Sequence, residues 1–390
     1  MQTSRIYADH AASTPLRPEV LEAMLPSLQG GFNPSSVHEE GRRARRVVDG
    51  ARATVAHILG AQPREIIFTS GGSEADNLAI FGIAKALESR GKHIVTSAIE
   101  HHAVLHSAER LSSDGWDVTT LDVDQNGLLD VGAFTNALSP QTTLATVMLA
   151  NNEIGTLLPV ADLASVARER GVLFHTDAVQ APAYVRIDVS ELGVDALSIS
   201  AHKFYGPKGV GALYVRNGTP LRSQLVGGSQ ELAQRAGTEN VAGIAGMAKA
   251  LALADEDRAA LTLRLDTLRA QFEERIAARI ADVRVNGAGA RRLPHISNVS
   301  FAGVEAHALV IRLDLEGVAI SAGSACAAGA AEPSHVISAL YPEQRWKGGA
   351  VRFSFGHATT AADIERLCEI VVAAIADLRG VGVDALTLTT

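Results

Sequence analysis

The sequence predicts an α/β protein with a large, mostly parallel sheet and a smaller α+β unit towards its carboxyl end. Three observations carry that prediction. Between about residues 44 and 255, short apolar runs alternate with segments of helical periodicity, the pattern of strands joined by crossover helices. Beyond about residue 256 the alternation gives way to one long helical stretch and strands of a different character. The chain has 390 residues, 47% of them hydrophobic and 20% charged, which is long enough for two units and apolar enough to fold.

Taken in order, "GRRARRVVDGARATVAHILG" (41–60) places Ala44, Val47, Val48, Ala51, Val55, Ile58 and Leu59 at helical spacing. This predicts an amphipathic helix with Arg42, Arg43, Arg45, Arg46 and Arg52 on its wet face. "EIIFTS" reads as a strand and "SEADNLAIFGIAKALESRG" as a helix closed by Gly91. "HIVTSAIEH" and "TLATVMLANNEIG" are strands, "VADLASVARERG" a helix, and "VLFHTDAVQ" and "ALSIS" two further strands. Helices alternating with such runs wrap both faces of a parallel sheet. In the second unit Leu265, Leu268, Phe272, Ile276 and Ile280 share one face of a long helix. "RVNG" and "HISNVSFAG" read as strands of a separate sheet, "EAHALVIRLDLEG" as a helix and "VRFSFG" as a last strand. A terminal helix near 361–379 has Thr360 and Asp363 placed to cap it. The expected division is 14–255 for the large unit and 256–390 for the small one, with 1–13 packing on the latter. "YPEQRWKGGA" before Val351 carries no readable pattern.

The formal net charge of −8 leaves no global basic field to gather nucleic acid or an anionic membrane. The arginines of 41–60 could make a local nucleic-acid patch, but the apolar periodicity beneath them favours a solvated helix face. No direct nucleic-acid partner is therefore expected. The amino terminus lacks an apolar core of signal-peptide length and no run is long enough to span a bilayer, so the expected location is the cytoplasm. Two cysteines, Cys326 and Cys368, cannot make a multi-bridge framework and fit a reducing compartment.

Ligands of open parallel sheets gather beyond the carboxyl ends of the strands, and four such ends carry unusual groups. In "FTSGGSEADN", Gly71, Gly72 and Ser73 turn a strand into a helix, where backbone N–H groups and a hydroxyl can hold a phosphate; an ordinary N-cap by Ser73 is the plain alternative. "SAIEHHAVL" sets Glu100, His101 and His102 after a strand, a pairing that is more often packing than catalysis. In "FHTDAVQ", Asp177 ends an apolar run with Gln180 three residues on; an acid there is costly unless it meets a cation or a protonated heterocycle, and a structural salt bridge would also serve. In "LSISAHKFYGPKGVGALYV", Lys203 follows Ser200 and His202 at the start of a glycine-rich turn, where a lysine can lose its proton and form an imine with an aldehyde. A phosphate cradle, a carboxylate for a pyridinium nitrogen and an imine-forming lysine are together the set that pyridoxal phosphate requires.

Cys326 stands in "ISAGSACAAGAAEPSHV", a run of small residues that suits a mobile loop carrying a thiol to a buried cofactor and then to an outside acceptor. Cys368 shares a helix face with Ile364, Leu367 and Val371 and reads as a buried, inert thiol. Arg352 in "VRFSFGH" could clamp a substrate carboxylate with its two-pronged guanidinium. A metal centre built from His101, His102, His175 and Asp177 is a different possibility, but it has no tight ligand spacing and leaves Lys203 unexplained.

In series, "YADHAASTPL", "FNPSSVHEEGR", "FTSGGSEADNLAI", "NNEIG", "HTDAVQ", "SAHKFYGPKGVGALYV", "RAGTENVAGI", "SAGSACAAG" and "VRFSFG" closely resemble the cysteine desulfurases of the class V aminotransferase family, over nearly the whole chain. The cysteine-bearing stretch is more similar to the branch serving nitrogen fixation and general iron-sulfur assembly than to the branch related to selenocysteine lyases. The resemblance implies an aspartate-aminotransferase-like fold (type I), pyridoxal 5'-phosphate as cofactor, L-cysteine as substrate and an enzyme persulfide as product. That persulfide would pass to an iron-sulfur scaffold or another acceptor protein, transfer-RNA thiolation being a further destination. Lys203 would hold the cofactor covalently, Asp177 would pair with its ring nitrogen, His101 would stack on the ring and assist proton transfer, and Gln180 would bond its hydroxyl. Gly72, Ser73, Ser200 and His202 would hold the phosphate, joined by Thr238 from a second subunit of an obligate homodimer. Asn152 would contact both cofactor and substrate, with Arg352 and Asn33 beside the substrate carboxylate. Cys326 would be the sulfur acceptor and a transient ligand to a cluster in transit, with no resident metal. If Cys326 instead only received persulfide in a silent relay scaffold, Lys203 and Asp177 would have no purpose. Gly72-Ser73 stands where the family often has alanine and threonine, and Ala327 and Ala328 follow Cys326 where relatives commonly show hydroxyl residues.

Overall fold

The computed structural model describes residues 5–30, 32–323, 333–341 and 343–387. In chain order the elements are β1 (Ile6–Tyr7), α1 (Pro18–Gly30), α2 (Glu39–Leu59), β2 (Ile66–Thr69), α3 (Gly72–Ala86), β3 (His93–Ser97), α4 (His102–Ser113), β4 (Asp117–Leu121), α5 (Val131–Ala137) and β5 (Thr142–Thr146). There follow α6 (Val160–Glu169), β6 (Leu173–Asp177), α7 (Val189–Leu192), β7 (Ala196–Ser200), β8 (Gly211–Val215), α8 (Val241–Arg279), β9 (Val283–Val285) and β10 (Ile296–Phe301). The chain continues with α9 (Ala306–Leu315), β11 (Val318–Ala319), α10 (His335–Leu340), β12 (Ala350–Ser354) and α11 (Ala361–Thr387).

The expected mostly parallel sheet is a seven-stranded one in the order β2-β8-β7-β6-β5-β3-β4. Strands β7, β6, β5, β3 and β4 run parallel, while β8 pairs antiparallel with both β7 and β2. Alternate residues feed two cores: Ile67, Ile94 and Leu144 pack with α3 and α4 on one face, and Phe68, Val95 and Ala145 join the larger core on the other. This period-two division is why the strands read as unbroken apolar runs. Antiparallel β12-β10-β9 forms a separate sheet, and β1 lies parallel to β11.

The sequence reading departs from the structure in particular places. Arg52 is buried, not on the wet face of α2: its guanidinium makes bonds of 2.8 and 2.6 Å to Glu231 and another to the Ile66 carbonyl. Helix α3 ends at Ala86 rather than at Gly91, whose lack of a side chain instead lets the chain pass against the Gln141 carbonyl. Strand β4 and helix α4 were not foreseen; "DVTTL" is a half-exposed edge strand with little apolar signal. Helix α8 runs unbroken from residue 241 to 279. Thr360 and Asp363 do cap α11 reciprocally, N–H to side chain at 2.9 and 3.1 Å. The segment before Val351 packs through Arg284, whose guanidinium lies 4.7 Å from the Tyr341 ring centre and 5.0 Å from that of Trp346.

Candidate active site

At the carboxyl edge of the large sheet, a cavity of about 270 Å³ gathers Gly72, Ser73, Asp76, His101, Asn152, Asp177, Gln180, Ser200, His202, Lys203 and Arg352. Each arrives there for a local reason. Strand β6 ends at Asp177, whose carboxylate accepts the Val179 N–H at 2.9 Å and so turns the chain out of the sheet. Burial pushes the Asp177 carboxyl up to about 6, against the opposing pull of that N–H and of Lys203. Asp76, on the buried side of α3, is raised well above the ordinary range by burial and by Asp177.

Helix α3 starts at this cavity. Its N-cap is Gly71, which offers no side-chain bond to the first turn, so N–H groups at a helix start are left to meet a ligand. A Cβ on Gly72 would lie 2.7 Å from Val179 Cγ2, which keeps the backbone itself at the cavity wall.

His101 is the N-cap of α4, its Nδ1 accepting the Ala103 N–H at 3.1 Å. That bond places the proton of the neutral ring on Nε2. Burial first, and Lys203 next, hold His101 down at about 4; burial does the same for His202. Lys203 lies in a single turn after β7, and its Nζ donates to the carbonyls of Ala11 (2.6 Å) and Ala12 (3.0 Å). Gln180 Nε2 donates to the same Ala11 carbonyl at 2.7 Å. Thus "HAAS" near the amino terminus closes the floor, a part of the site that its small residues did not announce.

Arg352 projects from β12, almost fully buried, with Nη1 donating to the Asn152 carbonyl at 2.8 Å and Nη2 to Asp9 at 2.9 Å. Not every expected residue comes here. Asn33 lines a second cavity of about 490 Å³ together with Thr238, and its Oδ1 accepts the Ser35 N–H at 2.8 Å; within one chain it does not line the cavity of Asn152 and Arg352. Cys326 lies outside the described residues. Cys368 is buried, and burial pushes its thiol up to about 11.

The metal alternative fares poorly. His175 is buried with both ring nitrogens engaged, by Thr146 at 2.8 Å and Ser198 at 3.0 Å. His102 packs its ring against His106 and His335 instead. Among the described residues only Asp76, His101 and Asp177 converge closely enough to share an ion. Asp76 escaped the sequence reading because it shares the apolar face of α3 with Ala75, Ala79 and Ile80.

A family profile described as Aminotransferase class-V matches residues 6–367. The chain is 49% identical to a cysteine desulfurase IscS of Dictyoglomus turgidum, over 96% of this chain and 95% of that one. It is 47% identical to a putative cysteine desulfurase IscS 1 of Bacillus subtilis, over 93% and 96% respectively. The chain belongs to the cysteine desulfurases of the class V aminotransferase family. Among solved structures, a NifS-like protein superposes with a TM-score of 0.90 at 32% identity, covering 95% of this chain and 99% of its own. A structure titled "SspA in complex with cysteine" superposes with a TM-score of 0.79 at 38% identity, covering 90% and 98%.

Cysteine desulfurases depend on pyridoxal 5'-phosphate, and the cavity fits that group on its own chemistry. The uncapped start of α3 suits a phosphate, the buried Asp177 carboxylate suits a protonated ring nitrogen, and the Lys203 amine lines the same cavity. Among the described residues no helix is long and apolar enough to cross a membrane.

Proposed function

We propose that this chain removes sulfur from L-cysteine, leaving L-alanine and a persulfide on Cys326, and that the sulfur then passes to an acceptor protein for iron-sulfur cluster assembly. The observation that carries the reading is the convergence of Lys203, Asp177, His101 and the uncapped α3 start on one cavity that Arg352 also enters. When bound, pyridoxal phosphate supplies an electron sink for the substrate α-carbon. Gly72, Ser73, Ser200 and His202 would hold its phosphate, Asp177 would keep its ring nitrogen protonated, Gln180 would bond its hydroxyl, and His101 would assist proton transfer at the ring. Lys203 would anchor it, and its Nζ would take the substrate α-proton. Asn152 and Arg352 orient the substrate, the guanidinium fork matching a carboxylate.

The Cys326 thiolate attacks the substrate sulfur. The new S–S bond forms as the C–S bond breaks, and the carbon keeps the electron pair and gains a proton. Sulfur is oxidised as carbon is reduced, so no outside oxidant is required.

Thr238 and Asn33, together in the second cavity, are read as facing a second copy, with Thr238 completing that copy's phosphate site in a homodimer. The same reading takes 14–255 as the cofactor-binding unit, 256–390 with 1–13 as the smaller one, and the cytoplasm as the location. The parallel pairing of β1 with β11 supports the placement of the amino terminus.

Lys203→Ala is expected to lower alanine formation by about 10³-fold or more, while Cys326→Ser still binds cysteine but yields no persulfide. Substantial alanine from the first variant, or wild-type persulfide from the second, measured by amino-acid analysis and mass spectrometry, would overturn the assignment.

A further inference from the structure

The turn after β5 links two parts of the molecule that the reaction needs in register. Asn151 shapes it: Oδ1 accepts the Glu153 and Ile154 N–H groups at 2.9 Å each, and Nδ2 donates to the Ile99 carbonyl at 2.8 Å. On one side of the turn the Asn152 carbonyl accepts Arg352 Nη1. On the other, the fully buried Glu153 accepts the Ser334 hydroxyl on Oε2 at 2.5 Å. Ser334 is also the N-cap of α10, its Oγ accepting the Val336 and Ile337 N–H groups. On the opposite flank Gly323 passes close by without bonding the carboxylate: its φ is +100°, and a Cβ there would lie 2.8 Å from Glu153 Oε2 and 3.3 Å from Ser334 Cβ.

Gly323 and Ser334 flank the stretch that contains Cys326, and a single buried carboxylate bonds Ser334 and leaves no room for a side chain at Gly323. Its other oxygen, Oε1, has no hydrogen-bond partner among the described residues. A half-used buried carboxylate costs stability that an apolar side chain would not, so its presence calls for a reason other than packing.

We propose that Glu153 is a positioning residue for sulfur transfer: through its bond to Ser334, and with Gly323 packed close by, it ties the flank of the Cys326 stretch to the turn that, through Asn152, holds Arg352. This rests on the reading of Cys326 as the sulfur acceptor and Arg352 as the carboxylate clamp. A nucleophile must meet the substrate sulfur within a few tenths of an ångström, and a misplacement of about 1 Å can cost on the order of 10²-fold in rate.

The test compares Glu153→Ala, Ser334→Ala and the near-isosteric Glu153→Gln in the full-length chain. Both alanine variants should slow single-turnover persulfide formation on Cys326 by about 10- to 100-fold while cysteine affinity, read from the cofactor's absorption, stays within about threefold. Glu153→Gln, which can still bond Ser334, should recover most of the rate. Iodoacetamide labelling of Cys326 in the coenzyme-free protein, followed by mass spectrometry, should change at least about threefold in the alanine variants, with buried Cys368 as the internal control. Wild-type persulfide rates, a matching loss of cysteine affinity, or unchanged labelling would each overturn the proposal. If Glu153→Ala fails to fold, Ser334→Ala removes the same bond from the other end. If the wild type itself makes no alanine, the desulfurase reading fails, whereas the labelling comparison still decides the role of Glu153.

Discussion

Two groups of buried acids lie on the large sheet, and they are treated oppositely. Glu231 is saturated: Arg52 donates two bonds to it and the Phe68 N–H a third at 2.8 Å. Asp76, Asp177 and Glu100 form the other group, and no arginine salt bridge among the described residues reaches them. Burial raises all three, Glu100 to about 8, and among the described residues an oxygen each of Asp76 and Glu100 accepts no hydrogen bond. The first group holds an early helix to a distant turn. The second spends stability to keep buried carboxyl groups, Asp177 foremost, beneath a cavity that a protonated ring can fill, as expected where function and stability compete.

The sharpest break of this contrast is Arg52→Ala. Leaving Glu231 buried and unpaired should cost about 3–5 kcal/mol, seen as a lower midpoint in urea, with cofactor absorbance per folded molecule unchanged. Equal stability would mean that the pair is ornamental.

Asp177→Asn should do the reverse. The coenzyme-free protein should be as stable as wild type or more so, since a raised carboxyl becomes neutral, while the cofactor is held more weakly by about tenfold or more. Tight cofactor retention by that variant would remove Asp177 from its role.

A smaller effect should appear in the pH profile. Glu100, ordinarily near 4.5, is raised to about 8 when folded, so its contribution to stability is complete below about pH 4.5 and is lost as pH rises through 8. His101 and His202, depressed from 6.5 to about 4, contribute fully above 6.5 and lose that contribution as pH falls through 4. Between pH 6.5 and 8, coenzyme-free wild type should therefore lose stability with a slope of up to about 1.4 kcal/mol per pH unit from Glu100. Glu100→Gln should flatten it; an unchanged slope in denaturant titrations would show that another group titrates there.

The same contrast explains what could be read from sequence. Asp177, Lys203 and Gly72-Ser73 were legible because each follows an apolar run directly, and position at a strand end is a local property. The pairing of Arg52 with Glu231 was not, because the partners stand 179 residues apart and a periodic helix offers no sign that one of five arginines points inward. Asp76 was hidden on a helix face, and the clamp at Glu153 depends on Gly323 and Ser334 folding back to it. Strand β4 was missed because "DVTTL" at a sheet edge has little apolar surface to bury. The alternation of strand and helix was readable because both faces of the sheet are covered.

The proposed site depends on Lys203 Nζ being the attachment point of the cofactor. Borohydride reduction of the cofactor-loaded protein, followed by peptide mapping, tests it most directly. Loss of the visible absorption band and a pyridoxyl group on the peptide containing Lys203 are the expected result. A bleached protein modified at another lysine, or one that holds the cofactor with Lys203 unmodified, would contradict it.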